Sequence, residues 1–232
     1  MKHRGKNYKS LVEKIEKGKL YYKEESVKLV NEISNTKFDA TVEVAMNLNL
    51  DVKKADQQLR GALQLPKGTG KEVKVLVIAK GDFAKAAKEA GADFVGDLDM
   101  LQKIEKENWF DFDVMIATPD MMPILGKYGK LLGPKGLMPN PKTGTVTTNV
   151  AKAVADSKAG RVEYRTDSYG NIHGLIGKAS FSEEDLLANL NAFVGMIIKS
   201  KPATVKGTYV KSIAISSTMS PSIKLDKNSF DI

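Results

Sequence analysis

Apolar and polar residues alternate along the stretch from Phe38 to Asp51, which predicts a β-strand with one buried and one solvent-facing side. The same period returns near the other end of the chain, in Arg161–Thr166 and Ile172–Ala179, with a turn over residues 167–171 between them. Thr208–Ser217 is predicted as the last strand. A single strand forms no stable sheet, so we predict that both chain ends fold into one α+β domain with an antiparallel sheet of about four strands.

Helical spacing of apolar residues predicts the helices on one face of this sheet. A short helix is expected within the first 23 residues, and a second over Glu24–Asn35, with acidic residues at its front, where the helix dipole favours them. Ser182 is expected to cap a third helix, with Asp185 three residues on. The apolar stripe of that helix comprises Leu186, Leu190, Phe193 and Ile197. Val52–Leu63 is predicted to be a linking helix or turn.

The middle of the chain has a different pattern, in which short apolar strands alternate with helices. Strands are predicted at Val73–Ala79, Asp93–Gly96 and Phe112–Ala117, and helices at Phe83–Ala90, Leu98–Asn108, from Asp120 onward and at Asn149–Lys158. This alternation is typical of a parallel, doubly wound (Rossmann-like) α/β domain. Pro66–Gly68 and Ala159–Gly160 are predicted paired hinges, so residues 68–159 form a domain inserted into a discontinuous one made of residues 1–67 and 160–232.

Charge is unevenly shared between these regions. The chain of 232 residues has a formal net charge of +8, which favours polyanionic partners. Residues 68–159 contain 13 lysines against 12 acidic residues, so the two chain ends hold +7 of that charge. Cysteine is absent, which suits a reducing cytosol. The beginning of the chain lacks an apolar signal core and no apolar run is long enough to span a bilayer, so neither secretion nor membrane insertion is expected.

No set of residues indicates catalysis. The two histidines are His3, in a basic tail, and His173, on a predicted hairpin strand, so a histidine-based metal site or triad is not expected. No G-x-G-x-x-G pattern follows Val73–Ala79 and no Walker pattern occurs. We predict no enzyme activity and no cofactor. The alternative, a nucleotide-dependent enzyme that uses the middle domain, would show itself as thermal stabilisation by nucleotides.

The polar faces of the terminal strands suit RNA better. Thr41 and Glu43 share one face of the first strand, and Ser212, Ser216 and Thr218 share one face of the last. Hydroxyl groups can donate to phosphate and accept from a ribose 2′-OH, whereas Glu43 could accept from sugar or base donors. The alternative is an ordinary exposed strand surface. Met219 follows in a polar turn, where it either fills an apolar gap or lies on a base or sugar edge.

One segment has a sequence that resembles a known family. Leu132–Gly144 reads LGPKGLMPNPKTG, with three glycines and three prolines, which excludes regular structure and by itself would indicate a rigid connector. With the residues that follow, it resembles the signature segment of the bacterial ribosomal protein L-one family. Matching stretches are KFDATVEV (37–44), LPKGTGK (65–71), IAKGD (78–82), ATPDMM (117–122), GKASF (177–181) and TMSPS (218–222).

The resemblance implies specific RNA-binding residues. The motifs KFDATVEV and TMSPS select Lys37, Phe38, Thr41, Glu43, Thr218, Met219 and Ser220. The family more usually has glycine where Ser220 stands. Arg161, Arg165 and Lys178 are expected as secondary phosphate contacts. The middle-domain lysines are expected to touch RNA less tightly, and these are Lys127, Lys130, Lys135 and Lys142.

The resemblance also implies a function. A member of this family would be a cytoplasmic, ribosome-associated protein that binds large-subunit ribosomal RNA at the mobile stalk near the tRNA exit site. It would assist release of deacylated tRNA and repress translation by binding its own messenger RNA. Its partners would be the ribosomal RNA, exit-site tRNA, its own operon's mRNA and the rest of the large subunit, with no membrane. A regulator that binds only messenger RNA remains a further alternative, which co-sedimentation with large subunits would separate.

Overall fold

The computed structural model of the protein describes residues 5–230, so His3 lies outside the described residues. The α-helices are α1 (Lys6–Glu13), α2 (Lys23–Ile33), α3 (Asp82–Glu89), α4 (Leu98–Glu107), α5 (Met122–Leu125), α6 (Gly129–Leu132), α7 (Val150–Lys158) and α8 (Glu183–Lys199). The strands are β1 (Thr41–Leu48), β2 (Arg60–Gln64), β3 (Val75–Ile78), β4 (Phe94–Gly96), β5 (Val114–Ala117), β6 (Arg161–Arg165), β7 (Asn171–Lys178), β8 (Val210–Ser217) and β9 (Ile223–Leu225). Short 3-10 turns cover Ala55–Gln57, Pro119–Met121, Gly126–Tyr128, Pro141–Thr143 and Lys227–Phe230.

The chain divides into two compact units. The first contains the described residues up to Gly70 together with those from Val162 onward, and the second is Lys71–Arg161. The chain therefore crosses between the units twice. Before the first crossing, the fully buried Asn189 of α8 accepts from the backbone N–H of Lys67 (3.0 Å) and donates to the carbonyl of Gly68 (3.0 Å). These bonds tie the departing chain to the core of the first unit.

The first unit is built on a four-stranded antiparallel sheet with the order β7-β1-β8-β9. Alternation along β1 buries Val42, Val44, Met46 and Leu48 against the hydrophobic core, to which α2 and α8 both contribute. Helix α8 begins as expected, because the Ser182 hydroxyl accepts from the backbone N–H of Asp185 (3.1 Å). All four residues of its predicted stripe are fully buried. The predicted antiparallel sheet with helices is confirmed.

Two strand assignments in this unit were wrong. Strand β6 does not join the four-stranded sheet but pairs with β2, which lies in the segment predicted to be a linking helix or turn. Glycine at position 61 of β2 lets the Tyr164 ring of β6 pack closely, since a Cβ there would come 2.6 Å from the Tyr164 hydroxyl oxygen. The fourth strand of the large sheet is β9, whose three residues are too few to show alternation in the sequence.

The second unit contains a three-stranded parallel sheet with the order β4-β3-β5. Helix α4 contributes Leu101 and Ile104 to the core on one face, whereas α3 and α7 contribute Ala87, Val150 and Val154 to the core on the other. The predicted parallel, doubly wound sheet is thus confirmed. The helix expected from Asp120 is instead broken into α5 and α6, four residues each, because glycines at 126 and 129 disfavour a continuous helix.

Two carboxylates hold the beginning of β3. Asp93 accepts from the backbone N–H of Val75 (2.9 Å), which is the main reason why the pKa of Asp93 is lowered. Asp113 accepts from the Lys71 ammonium and from the backbone N–H of Lys74 (3.1 Å), and the bond with Lys71 is the largest cause of its lowered pKa. Within residues 5–230, no helix is long and apolar enough to cross a bilayer.

Candidate RNA-binding surface

The face of the four-stranded sheet that points away from the core displays polar residues. On β1 it presents Thr41, Glu43 and Asn47, of which Glu43 is exposed and the others half-buried. Register places Glu43 opposite Ser216 of β8, and Asn47 opposite Ser212. The sheet therefore brings residues from the two chain ends side by side on one surface. We call Thr41, Glu43, Lys178, Ser216 and Thr218 the hydroxyl face.

The two threonines of the hydroxyl face are bonded to each other. The Thr218 hydroxyl accepts from the backbone N–H of Thr41 (3.1 Å), and the Thr218 N–H donates to the Thr41 carbonyl (3.0 Å). The Thr218 side chain is thus engaged with the backbone rather than turned fully outward. Its role is to fix the turn after β8 against the beginning of β1.

A lysine completes this corner of the sheet. The Lys178 ammonium on β7 donates to the Thr41 hydroxyl (3.0 Å), opposite which it lies in the strand register. Because that hydroxyl accepts from lysine, its own proton remains available for an outside acceptor. Among the described residues, Lys178 forms no ion pair, so its charge also remains available. An ammonium beside a hydroxyl donor suits a phosphate oxygen.

Met219 protrudes from the turn in an unusual conformation. Its φ is +68°, in the left-handed region, and its side chain is 79% exposed. This backbone costs roughly 1–3 kcal/mol, and strained residues of this kind cluster at functional sites. Ser220 itself has no positive φ, so this position does not need glycine for its backbone. The Ser220 hydroxyl instead accepts from the Ser217 N–H (2.9 Å) and donates to the Pro221 carbonyl (3.1 Å), which stabilises the turn.

The loop before β1 carries the other two residues of the first motif. The Thr36 hydroxyl donates to the carbonyl of Phe38 (2.7 Å), which tightens the loop. The Phe38 side chain is 59% exposed, and Lys37 is exposed beside it. The ring of Phe38 can stack on a base, while the ammonium of the neighbouring Lys37 attracts the phosphate of the same nucleotide.

Neither of the two arginines belongs to the four-stranded sheet. Arg161 belongs to the second unit, where its guanidinium packs on Gly144; a Cβ at that glycine would lie 2.5 Å from a guanidinium nitrogen. Arg165 is exposed on β6, in the separate two-stranded sheet. Because β6 pairs with β2, Arg165 lies outside the four-stranded sheet, and the expected phosphate contacts of Arg161 and Arg165 stay predictions.

Further residues share the open face. His173 on β7 is exposed opposite Ala45, and Lys224 on β9 lies opposite Ala214. Asn47 donates to the side-chain oxygen of Asn171 (2.6 Å) farther along. Strand alternation alone could have placed His173 here, since it is an even number of residues from Asn171. Lys224 could not have been found in this way because β9 is so short.

The second unit has few candidate ligand-binding groups beyond the carboxyl ends of its strands, which is where parallel sheets bind ligands. Lys80 follows β3 and approaches Asp97, which follows β4, at 3.8 Å. Gly81 caps α3 with a positive φ of 58°. Over the part of the chain that the structure describes, no three histidine, cysteine or acidic side chains form a group that could hold a metal ion.

Comparison with known proteins now assigns the chain to a family. The model of the Ribosomal protein L1p/L10e family matches residues 28–221. The chain belongs to this family. Relatives named "Large ribosomal subunit protein uL1" are similar over nearly the whole chain. The protein of Limosilactobacillus fermentum is 57% identical over 229 residues, covering 99% of each chain. That of Phytoplasma australiense is 58% identical over 223 residues, covering 96% of this chain and 97% of the relative.

Proposed function

We propose that this chain is a non-catalytic protein of the large ribosomal subunit that binds ribosomal RNA through the hydroxyl face. The observation that supports this most strongly is the corner where Thr41, Thr218 and Lys178 meet, because residues from both chain ends are bonded there into one surface. Membership of the ribosomal protein family supports ribosomal RNA as the binding partner.

The proposed recognition has two physical components. Lysines near the face, among them Lys37 and Lys178, attract the phosphate backbone and release counterions, which makes binding depend on salt. The Thr41 hydroxyl, the Glu43 carboxylate and the Met219 side chain make fitted contacts with sugars and bases. Glu43 forms no ion pair with another described residue, so its oxygens can accept from ribose hydroxyls or base amino groups. The first component gives affinity and the second specificity.

The family membership extends the proposal to the biological setting. We place the site at the mobile stalk near the tRNA exit site, in the cytoplasm, where the chain would assist release of deacylated tRNA. The chain would also repress translation by binding its own messenger RNA at a site that mimics the ribosomal one. The two crossings at residues 70–71 and 161–162 would serve as hinges for the second unit.

The proposal is tested by measuring affinity for a ribosomal RNA fragment from the stalk, with a scrambled RNA as reference, over several salt concentrations. Thr218→Val removes the hydroxyl that accepts from Thr41 and should weaken specific binding by about 1–3 kcal/mol. Thr218→Ser keeps that hydroxyl and should bind like the parent. If the parent chain itself binds the scrambled RNA as tightly as the ribosomal fragment, the proposed function is wrong.

Co-sedimentation with large subunits tests the ribosomal part of the proposal separately. The chain should sediment with subunits that lack it, and an excess of the stalk RNA fragment should release it. A chain that binds its messenger RNA but never sediments with subunits would instead be a dedicated translational regulator.

A further inference from the structure

A pocket of about 510 Å³ opens beside the hydroxyl face, in the first unit. Three segments enclose it: helix α1, the loop between α2 and β1, and the turn after β8. Its lining includes Asn7 and Leu11 from α1, Ile33 and Asn35 from the end of α2 and the loop, and Phe38 and Met219. A pocket of this size lies within the range of roughly 300–1,000 Å³ typical of small-ligand sites.

The pocket combines an apolar floor with a polar rim. Leu11 and Ile33 are buried, whereas Asn7 and Asn35 are exposed, and the structure gives neither amide a side-chain hydrogen bond within residues 5–230. Each amide offers a donor and an acceptor on neighbouring atoms. A group with a flat apolar surface and hydrogen-bonding edges fits such a site.

The mouth of the pocket is formed by residues of the candidate RNA surface. Phe38 and Met219, both largely exposed although apolar, stand at this mouth, and Lys37, Thr218 and Ser220 also line the pocket. Met219, whose backbone is left-handed, lines the pocket while remaining largely exposed. The pocket is therefore continuous with the surface on which RNA is proposed to lie.

We propose that this pocket receives one unpaired nucleobase of the bound RNA. The base would lie against Phe38 and Met219, its polar edge would meet the amides of Asn7 and Asn35, and Lys37 would attract the phosphate of the same nucleotide. A base within a duplex is stacked on both sides and cannot enter, so the pocket selects a loop or bulge nucleotide. This inference rests on the proposed RNA-binding function and assigns a specific subsite to it.

Two features favour a base over an isolated apolar ligand as the occupant. Lysines lie near the pocket, and the pocket is continuous with the candidate RNA surface. The residues before the first crossing are rich in lysine, and the nearby Lys37 and Lys178 have no carboxylate partner among the described residues. A polyanion is attracted to this edge of the sheet, and a nucleotide brings its flat apolar surface to the pocket with it.

The test fills the pocket and asks which nucleotide loses its contact. Asn7→Trp places an indole in the pocket from α1, and Asn35→Trp places one there from the loop before β1. Ser10→Trp, on the exposed part of α1 and outside the pocket, is the control. Affinity is measured for the stalk RNA fragment and for versions in which each unpaired nucleotide in turn is made abasic. Circular dichroism of every variant checks that it is folded.

We expect one abasic position to weaken binding by the parent and by Ser10→Trp about tenfold, but to change binding by the two filled variants less than twofold. That loss of coupling identifies the base in the pocket. If every abasic substitution weakens the parent and the filled variants equally, the base pocket is wrong although the RNA-binding function stands. If the parent does not distinguish the fragment from scrambled RNA, the proposed function fails and the pocket assignment fails with it.

Discussion

The two units contain sheets of different kinds, and this difference decides where each can bind a partner. The antiparallel sheet of the first unit has its core on one side, where α2 and α8 pack, and leaves the other side open. The parallel sheet of the second unit has a hydrophobic core on each face. A parallel sheet covered on both sides leaves only its loops for ligands. Of the two sheets, the antiparallel one is therefore the one whose strands present polar side chains along an uncovered face, which supports the proposal that RNA binds there.

Charge reinforces the contrast. The second unit, Lys71–Arg161, contains 14 lysine and arginine residues against 12 acidic ones, a net charge of only +2. Several of its lysines are already engaged, as in the pairs of Lys71 with Asp113 and Lys158 with Asp93. Lys135 lies over the Phe110 ring at 4.0 Å. In the first unit, Lys178 contacts a hydroxyl instead of a carboxylate. Some lysines of the first unit are paired too, such as Lys67 with Asp185, but Lys37 and Lys178 have no carboxylate partner among the described residues.

The largest expected effects separate the two cores. Phe193→Ala empties the centre of the first core, where the Phe193 ring packs on Gly174, and should lower the free energy of unfolding by about 3–5 kcal/mol. Ile104→Ala does the same to the second unit and should cost about 2–5 kcal/mol there. Hydrogen exchange, read separately for amides of β1 and β3, measures both losses.

RNA affinity then distinguishes the units. Under conditions where both variants remain folded, Phe193→Ala should weaken RNA binding, because α8 and β7 support the hydroxyl face. Ile104→Ala should leave RNA binding within about twofold of the parent. An equal loss in the two variants would show that the second core supports the RNA site as much as the first.

The next effect concerns the protruding methionine. Met219→Ala removes the exposed side chain and should weaken specific RNA binding by about 1–3 kcal/mol without changing the dependence of affinity on salt. Met219→Leu keeps an apolar side chain of similar size and should retain most of the affinity. Parent-like binding by Met219→Ala at every salt concentration would remove this residue from the site.

Lowering the pH should reduce the stability of the second unit around β3. The carboxylate of Asp113 has a lowered pKa, so it stabilises the fold above its unfolded-state pKa of about 3.9, and this stabilisation is lost as the pH falls through the folded pKa. Because the Asp113 side chain is 34% exposed and its ion pair is screened by solvent, the contribution is about 0.2–1 kcal/mol. Asp113→Asn should therefore flatten the acid-induced loss of protection in β3 and leave β1 unchanged, as hydrogen exchange below pH 5 would record. A parent-like pH profile for β3 in this variant would contradict the assigned role.

The smallest expected effect is on salt dependence. Lys37→Ala should flatten the slope of log affinity against log salt by about one unit, since one phosphate contact is lost. Lys135→Ala, in the second unit, should change the slope by less, because the family resemblance implies only loose RNA contact there. Equal slopes for the two variants would erase the predicted difference between the units.

The sequence predicted what depends on local periodicity. Alternation located β1 and β8, helical spacing and a serine cap located α8, and apolar runs predicted the parallel sheet. Polar residues two apart on β1 and β8 indicated that Thr41 and Ser216 share their faces with Glu43 and Thr218. The sequence could not reveal that β6 pairs with β2, because that choice depends on how closely Tyr164 approaches Gly61 in three dimensions.

Turn geometry was also beyond the sequence. The notable backbone at the end of β8 lies at Met219 and not at Ser220, where the family's usual glycine would have suggested it. The inward hydrogen bond of the Thr218 hydroxyl depends on a partner 177 residues away in the chain. The pocket forms where α1 meets the loop before β1 and the turn after β8. These segments are far apart in the sequence, so no local pattern predicts the pocket.

The proposed recognition by the hydroxyl face is tested most directly by comparing the two surfaces in one titration. The affinity for the stalk RNA fragment is measured for a double variant, Thr218→Val with Met219→Ala, and for a quadruple variant in which Lys127, Lys130, Lys135 and Lys142 become Gln. We expect the double variant to lose its preference for this fragment over scrambled RNA, whereas the quadruple variant should keep that preference with somewhat lower overall affinity. Preserved preference in the double variant, together with lost preference in the quadruple variant, would contradict the claim that the hydroxyl face recognises the RNA.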